Sequence, residues 1–127
     1  INKPIIPVVE AKELVEPSVQ EVIHEITTVF RAENAQVIAK MIYVISRESK
    51  FKTYAMNWNC RYGTRSMGCK KGDLDKAYSV DCGVIQRNFP GKYCPNYSMD
   101  YKWSIKEGYP LYKQRGFQPW VASWDLP

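Results

Sequence analysis

Four cysteines, Cys60, Cys69, Cys82 and Cys94, all lie within one stretch of the chain, from residue 60 to residue 94. An even count in a small chain points to two disulfides and an oxidising compartment. Three pairings are possible, and local spacing favours Cys60–Cys69 with Cys82–Cys94. From Thr53 to Val80 the composition around them turns polar, with Gly63, Gly68 and Gly72. That is turn and loop chemistry, not helix. Zinc is the competing use for the thiols. Against it, the sequence has no Cys-x-x-Cys, and its one histidine, His24, sits far upstream in a separate helical pattern, where a structural or surface role is the default. No metal or other cofactor is expected.

A chain of 127 residues fits one domain with a real core. Its net charge of +5 gives affinity for something anionic, such as a bacterial cell-wall polymer or nucleic acid. The basic residues are spread along the chain rather than run together, which equally suits general solubility. No apolar run approaches transmembrane length, so no membrane span is expected. Without a signal peptide or initiator methionine, the chain reads as a processed mature protein or an excised domain.

Residues 1–16, with Pro4 and Pro7, read as an extended arm or linker, and 17–127 as the folded domain. Pro17 suits the first turn of a helix. Val19, Val22, Ile23, Ile26, Val29 and Phe30 keep helical period, predicting a helix to about Arg31. A second helix is expected from Asn34, a good N-cap, to Glu48. A third would start at Ser98, carry Tyr101, Ile105, Tyr109 and Tyr112, be kinked or split by Pro110, and stop at Gly116. Within the second, Ile38, Met41, Ile42 and Ile45 form one stripe, and continuing it lands on Glu48. A carboxyl on the apolar side of a helix end is desolvated, which disfavours its charged form. A carboxylic acid that keeps its proton can act as a general acid. The plainer alternative is a side chain turned to solvent where the helix frays.

The residues after the stripe favour the first reading. Glu48, Ser49, Phe51, Ala55, Asn57 and Asn59 reproduce Glu-Ser-x-Phe followed by Ala-x-Asn-x-Asn. Asp81, Gly83, Gln86 and Asn88 reproduce Asp-x-Gly-x-x-Gln-x-Asn, and GFQPWVASW carries a Trp-Val-Ala segment at Trp120. These three ordered blocks, covering most of the chain after Ala32, resemble the lysozyme-like superfamily of animal-type lysozymes and bacterial and phage lytic transglycosylases. The resemblance implies an α+β fold, a mainly helical domain with a small antiparallel β-hairpin region flanking an active-site cleft. The stretch between Asn59 and Asp81 is much longer than in animal-type lysozymes. It is expected to form an enlarged, disulfide-closed hairpin loop carrying Arg61, Arg65, Lys70 and Lys71, and Pro90 to Pro95 to form a turn.

The resemblance also implies roles. Glu48 matches the general acid and Trp120 the tryptophan that packs against it. Asp81 matches the second carboxylate, nucleophile or electrostatic stabiliser, with Asn59 and Asn88 as the amides that hydrogen-bond it. Gln86 matches a cleft residue facing the sugar. Phe89 stands where lysozymes carry polar and tryptophan residues, as a candidate substrate contact, and Cys82 where an aromatic residue is common. The activity implied is cleavage of the β-1,4 MurNAc–GlcNAc linkage of peptidoglycan, either by hydrolysis through both carboxylates or by transglycosylation through the glutamate to anhydro-muropeptides. The partner would be the glycan strand, in a periplasmic, secreted or virion-borne setting, with a larger parent protein or virion as context. A non-catalytic wall-binding or virion structural module is the runner-up. It has no physical need for a buried acid. Nucleic-acid binding rests on composition alone and would show as salt-sensitive DNA retention; it is not expected.

Overall fold

The computed structural model describes residues 15–121. Most of the N-terminal arm and the end of the Trp-Val-Ala segment, from Ala122, lie outside the described residues. Helix α1, Val19–Val29, begins at Ser18. Ser18 Oγ accepts from Glu21 N–H at 3.0 Å, and Glu21 Oε1 accepts from Ser18 N–H at 2.7 Å. This reciprocal capping box satisfies two backbone donors at the helix start. It places Pro17 before the cap rather than in the first turn, correcting the sequence expectation. Helix α2, Ala35–Ser49, is capped by Asn34, whose Oδ1 accepts from Val37 N–H at 2.9 Å, as expected.

The cross-linked segment folds into four antiparallel strands: β1, Met56–Tyr62; β2, Arg65–Gly68; β3, Ser79–Cys82; and β4, Arg87–Pro90. Their order across the sheet is β2-β1-β3-β4. Tyr62 pairs with Arg65, so Gly63 and Thr64 alone make the β1–β2 turn. Gly63 has φ of 66°, a conformation that hairpin turns of this length require and glycine adopts without strain. Residues 69–78 continue through a 3-10 turn, Leu74–Lys76, back to the sheet. The enlargement is thus an ordered hairpin plus a turn. Cys60–Cys69 closes it, with Cα atoms 4.8 Å apart, and Cys82–Cys94 ties β3 to the turn after β4, at 5.8 Å. Both pairings are the expected ones, and no thiol remains free for zinc.

Helix α3, Tyr101–Arg115, starts at Asp100, not at Ser98. The Asp100 carboxylate accepts from Lys102 N–H at 2.9 Å. Ser98 is fully buried in a preceding 3-10 turn, where its hydroxyl donates to Pro95 O and its carbonyl accepts from Ser104 Oγ. Pro110 does not split α3. It stands exposed, and the helix carbonyl it cannot serve belongs to exposed Lys106, within reach of water. Gly116 ends the helix at φ 62°, its N–H donating to Tyr112 O, and α4, Gln118–Val121, follows.

The core joins Val22, Ile26 and Phe30 of α1, Met41, Val44 and Ile45 of α2, Val84 and Ile85 of the β3–β4 loop, Ile105 of α3 and Trp120 of α4. The predicted stripe therefore faces inward at Met41 and Ile45, with Ile38 and Ile42 packed at its margin. The fold is α+β, a helical layer joined to a small sheet by the buried β3–β4 loop. No described helix is long and apolar enough to cross a membrane.

Candidate functional site

The helical layer and the sheet leave a cleft of about 900 Å³ between them. The sheet side contributes Asn59, Ser79, Asp81 and Asn88, the helical side Glu48, Leu111, Arg115 and Trp120, with Ile85 between them. Alternation along the strands explains the first set. Asn57 pairs with Asp81 and Asp81 with Asn88, while Asn59 pairs with Ser79, so these side chains share one face of the sheet.

On that face Asp81 is held from both sides. Asn88 Nδ2 donates to its Oδ1 at 2.8 Å and Asn59 Nδ2 to its Oδ2 at 3.3 Å. Each amide forks and also donates to Ser79 Oγ at 3.1 Å. Ser79 is 4% exposed, so one buried hydroxyl sets the direction of both amides. Sequence reasoning named Asp81 and the asparagines but missed Ser79. The signal was present: positions i and i+2 of a strand face the same way.

Glu48 occupies the last turn of α2, half-buried, on the helical side of the same cleft. The chain leaves that turn sharply. Lys50 and Phe51 both take left-handed backbone, φ 53° and 63°, an arrangement costly for residues with a Cβ. Phe51 packs against the core beyond the bend. Trp120 is 3% exposed, and its Nε1–H donates to Ile85 O at 3.0 Å. That bond satisfies the indole and fastens the β3–β4 loop to α4. Trp120 lines the cleft that holds Glu48, so it helps exclude water there.

No protein-family model, curated protein or solved structure matches the chain.

Gln86 reaches the cleft, but its side chain is largely occupied within the protein. It adopts φ 56°, donates to Gly83 O and Ala55 O, and accepts from Asn57 Nδ2 at 2.6 Å. It shapes the β3–β4 loop. Gly83, at φ 80° in the same loop, lies so close to Ser98 O and Ser104 Oγ that no Cβ fits. Phe89 is the predicted contact that the structure does not bring to the cleft. It neighbours Asn88 on β4 and faces the other side of the sheet, edge-on to Tyr97, which in turn packs on Trp103. An aromatic residue not foreseen does line the cleft: Tyr78, with its hydroxyl bonded to Ser66 and the Arg61 guanidinium 4.2 Å from its ring centre.

His24 is exposed on α1, away from the cleft. Among the described residues no group of three or more His, Cys, Asp or Glu is placed to hold a metal. A second cavity, of about 620 Å³, lies between the starts of α1 and α3. There Glu16 accepts from Thr53 N–H at 2.9 Å and Asp100 caps α3, so both carboxylates already serve the backbone. The amide-held carboxylate and the helix-end carboxyl meet in the larger cleft.

Proposed function

We propose that the chain is a lysozyme-like muramidase that cleaves the β-1,4 linkage between MurNAc and GlcNAc in peptidoglycan. The observation that carries this reading is the cleft's two unlike carboxyl groups. Glu48 is half-buried at a helix end, in a cleft it shares with a buried tryptophan, whereas Asp81 lies on a sheet face among hydrogen-bond donors. Glycoside cleavage needs that division, because one group must give a proton to the leaving oxygen while the other stabilises or attacks the oxocarbenium-like centre. In this reading Glu48 protonates the glycosidic oxygen, Asp81 serves as nucleophile or electrostatic stabiliser, and Ser79, Asn59 and Asn88 fix the Asp81 carboxylate in place. Water then completes hydrolysis. Asn59 and Asn88 give the glycan an edge of polar groups, and Gln86 holds the loop beside them. The setting is extracytoplasmic, where the wall polymer lies and disulfides persist.

Mass spectrometry of purified peptidoglycan after digestion tests this. The expected products carry reducing MurNAc ends, and Asp81→Asn lowers their rate by orders of magnitude with the fold intact. Anhydro-muropeptides, with Asp81→Asn near wild type, would instead make the chain a lytic transglycosylase using Glu48 alone. Intact strands retained without cleavage would make it a wall-binding module.

A further inference from the structure

The cleft carries more positive charge than the proposed bond cleavage requires. Arg65, Arg87 and Arg115 all line it. Arg87 has a partner, with its Nη1 3.5 Å from Glu107 Oε1 of α3. The side chains of Arg65, on the edge strand β2, and Arg115, at the end of α3, make no ion pair or hydrogen bond among the described residues. Both are exposed, whereas Ser79, Ile85 and Trp120, which line the same cleft, are buried. The two guanidinium groups therefore stand at the rim, one on the sheet side and one on the helical side.

We infer that Arg65 and Arg115 recognise the carboxylates of the stem peptide carried by the glycan strand, making peptide-bearing strands the preferred substrate. The inference rests on the muramidase reading and names the substituent that its cleft selects. The location decides which carboxylate is meant. A sugar ring seated between Glu48 and Asp81 keeps its ring substituents near the floor, whereas a peptide on that sugar projects outward past the rim. Guanidinium groups suit planar carboxylates, which they can bind through paired N–H donors. At an exposed rim such contacts are modest individually and are screened by salt.

Steady-state cleavage by the full chain tests this with three substrates: peptide-bearing strands, strands stripped of peptide by an amidase, and chito-oligosaccharides, which lack any carboxylate. KM for peptide-bearing strands is expected to be roughly threefold to tenfold lower than for stripped strands at low salt. The preference shrinks as salt rises and collapses in the double variant Arg65→Gln/Arg115→Gln. Equal KM for bearing and stripped strands overturns the arginine assignment and leaves the muramidase reading standing. So does a preference that the double variant retains. If stripped strands bind better than peptide-bearing ones, the lactyl carboxylate that the amidase frees is the anion recognised, and the stem-peptide assignment fails. Cleavage of none of the three overturns both readings together.

Discussion

At the scale of single residues, Gly83 and Ser79 carry the most constraint for their size. Gly83 combines positive φ with contact against a backbone carbonyl, so Gly83→Ala must displace either the β3–β4 loop or the Ser98 turn. A loss of about 3 kcal/mol is expected in urea unfolding, and an unchanged midpoint would show that the loop has room. Ser79→Ala removes the acceptor shared by Asn59 and Asn88. It should cost about 1 kcal/mol of stability while lowering wall cleavage far more, because the Asp81 carboxylate loses its fixed orientation. Equal activity would remove Ser79 from the account. The sequence made Glu48 legible because helical period is regular enough to extrapolate one further turn. It left Ser79 unread because a serine carries no chemical signal until its strand parity is known. The same parity argues against Phe89, since neighbours on a strand cannot both face one cleft. Arg65 and Arg115, fifty residues apart in the chain, become neighbours of one cleft only through the fold.

At the scale of elements, the helix stripes, the Asn34 cap and the Gly116 stop could all be read locally. Pro17 and Ser98 misled because each sits beside a stronger cap, Ser18 with Glu21 and Asp100, whose advantage lies in side-chain oxygens meeting backbone N–H groups. The β1–β2 hairpin has its own acid-sensitive tie. The Tyr62 hydroxyl donates to Asp73 Oδ2 at 2.7 Å, which holds the Asp73 carboxyl below its ordinary pKa. A depressed carboxylate pKa gives stability that is present above the unfolded value and lost as pH falls through the folded one. Amide exchange in residues 65–76 should therefore quicken as pH falls below the usual aspartate range, relative to the intrinsic rates. In Tyr62→Phe that acid-side change should shrink, leaving the part that Lys76 sustains. A response identical in both proteins would contradict the tie. The two disulfides close short loops, and replacing either pair with alanine should lower stability by about 3 kcal/mol. Loss of Cys82–Cys94 should harm cleavage more, since Cys82 adjoins Asp81 on β3.

At the scale of the whole molecule, the buried β3–β4 loop is the joint between the two layers, and Trp120 is its clasp. The indole fills the core and also donates to Ile85 O. Trp120→Phe keeps most of the apolar burial but loses that hydrogen bond, for an expected cost of about 1 kcal/mol. Trp120→Ala opens a cavity costing about 3–5 kcal/mol. Activity should fall in both, because the clasp sets how the helical side carrying Glu48 meets the sheet side carrying Asp81. Everything proposed for the cleft depends on Glu48 as the proton donor, and Glu48→Gln keeps its shape while removing the transferable proton. Release of soluble muropeptides from purified walls by Glu48→Gln is the most direct test. The account predicts no release above background, with melting temperature and polymer binding retained. Release as fast as by the parent protein would contradict it.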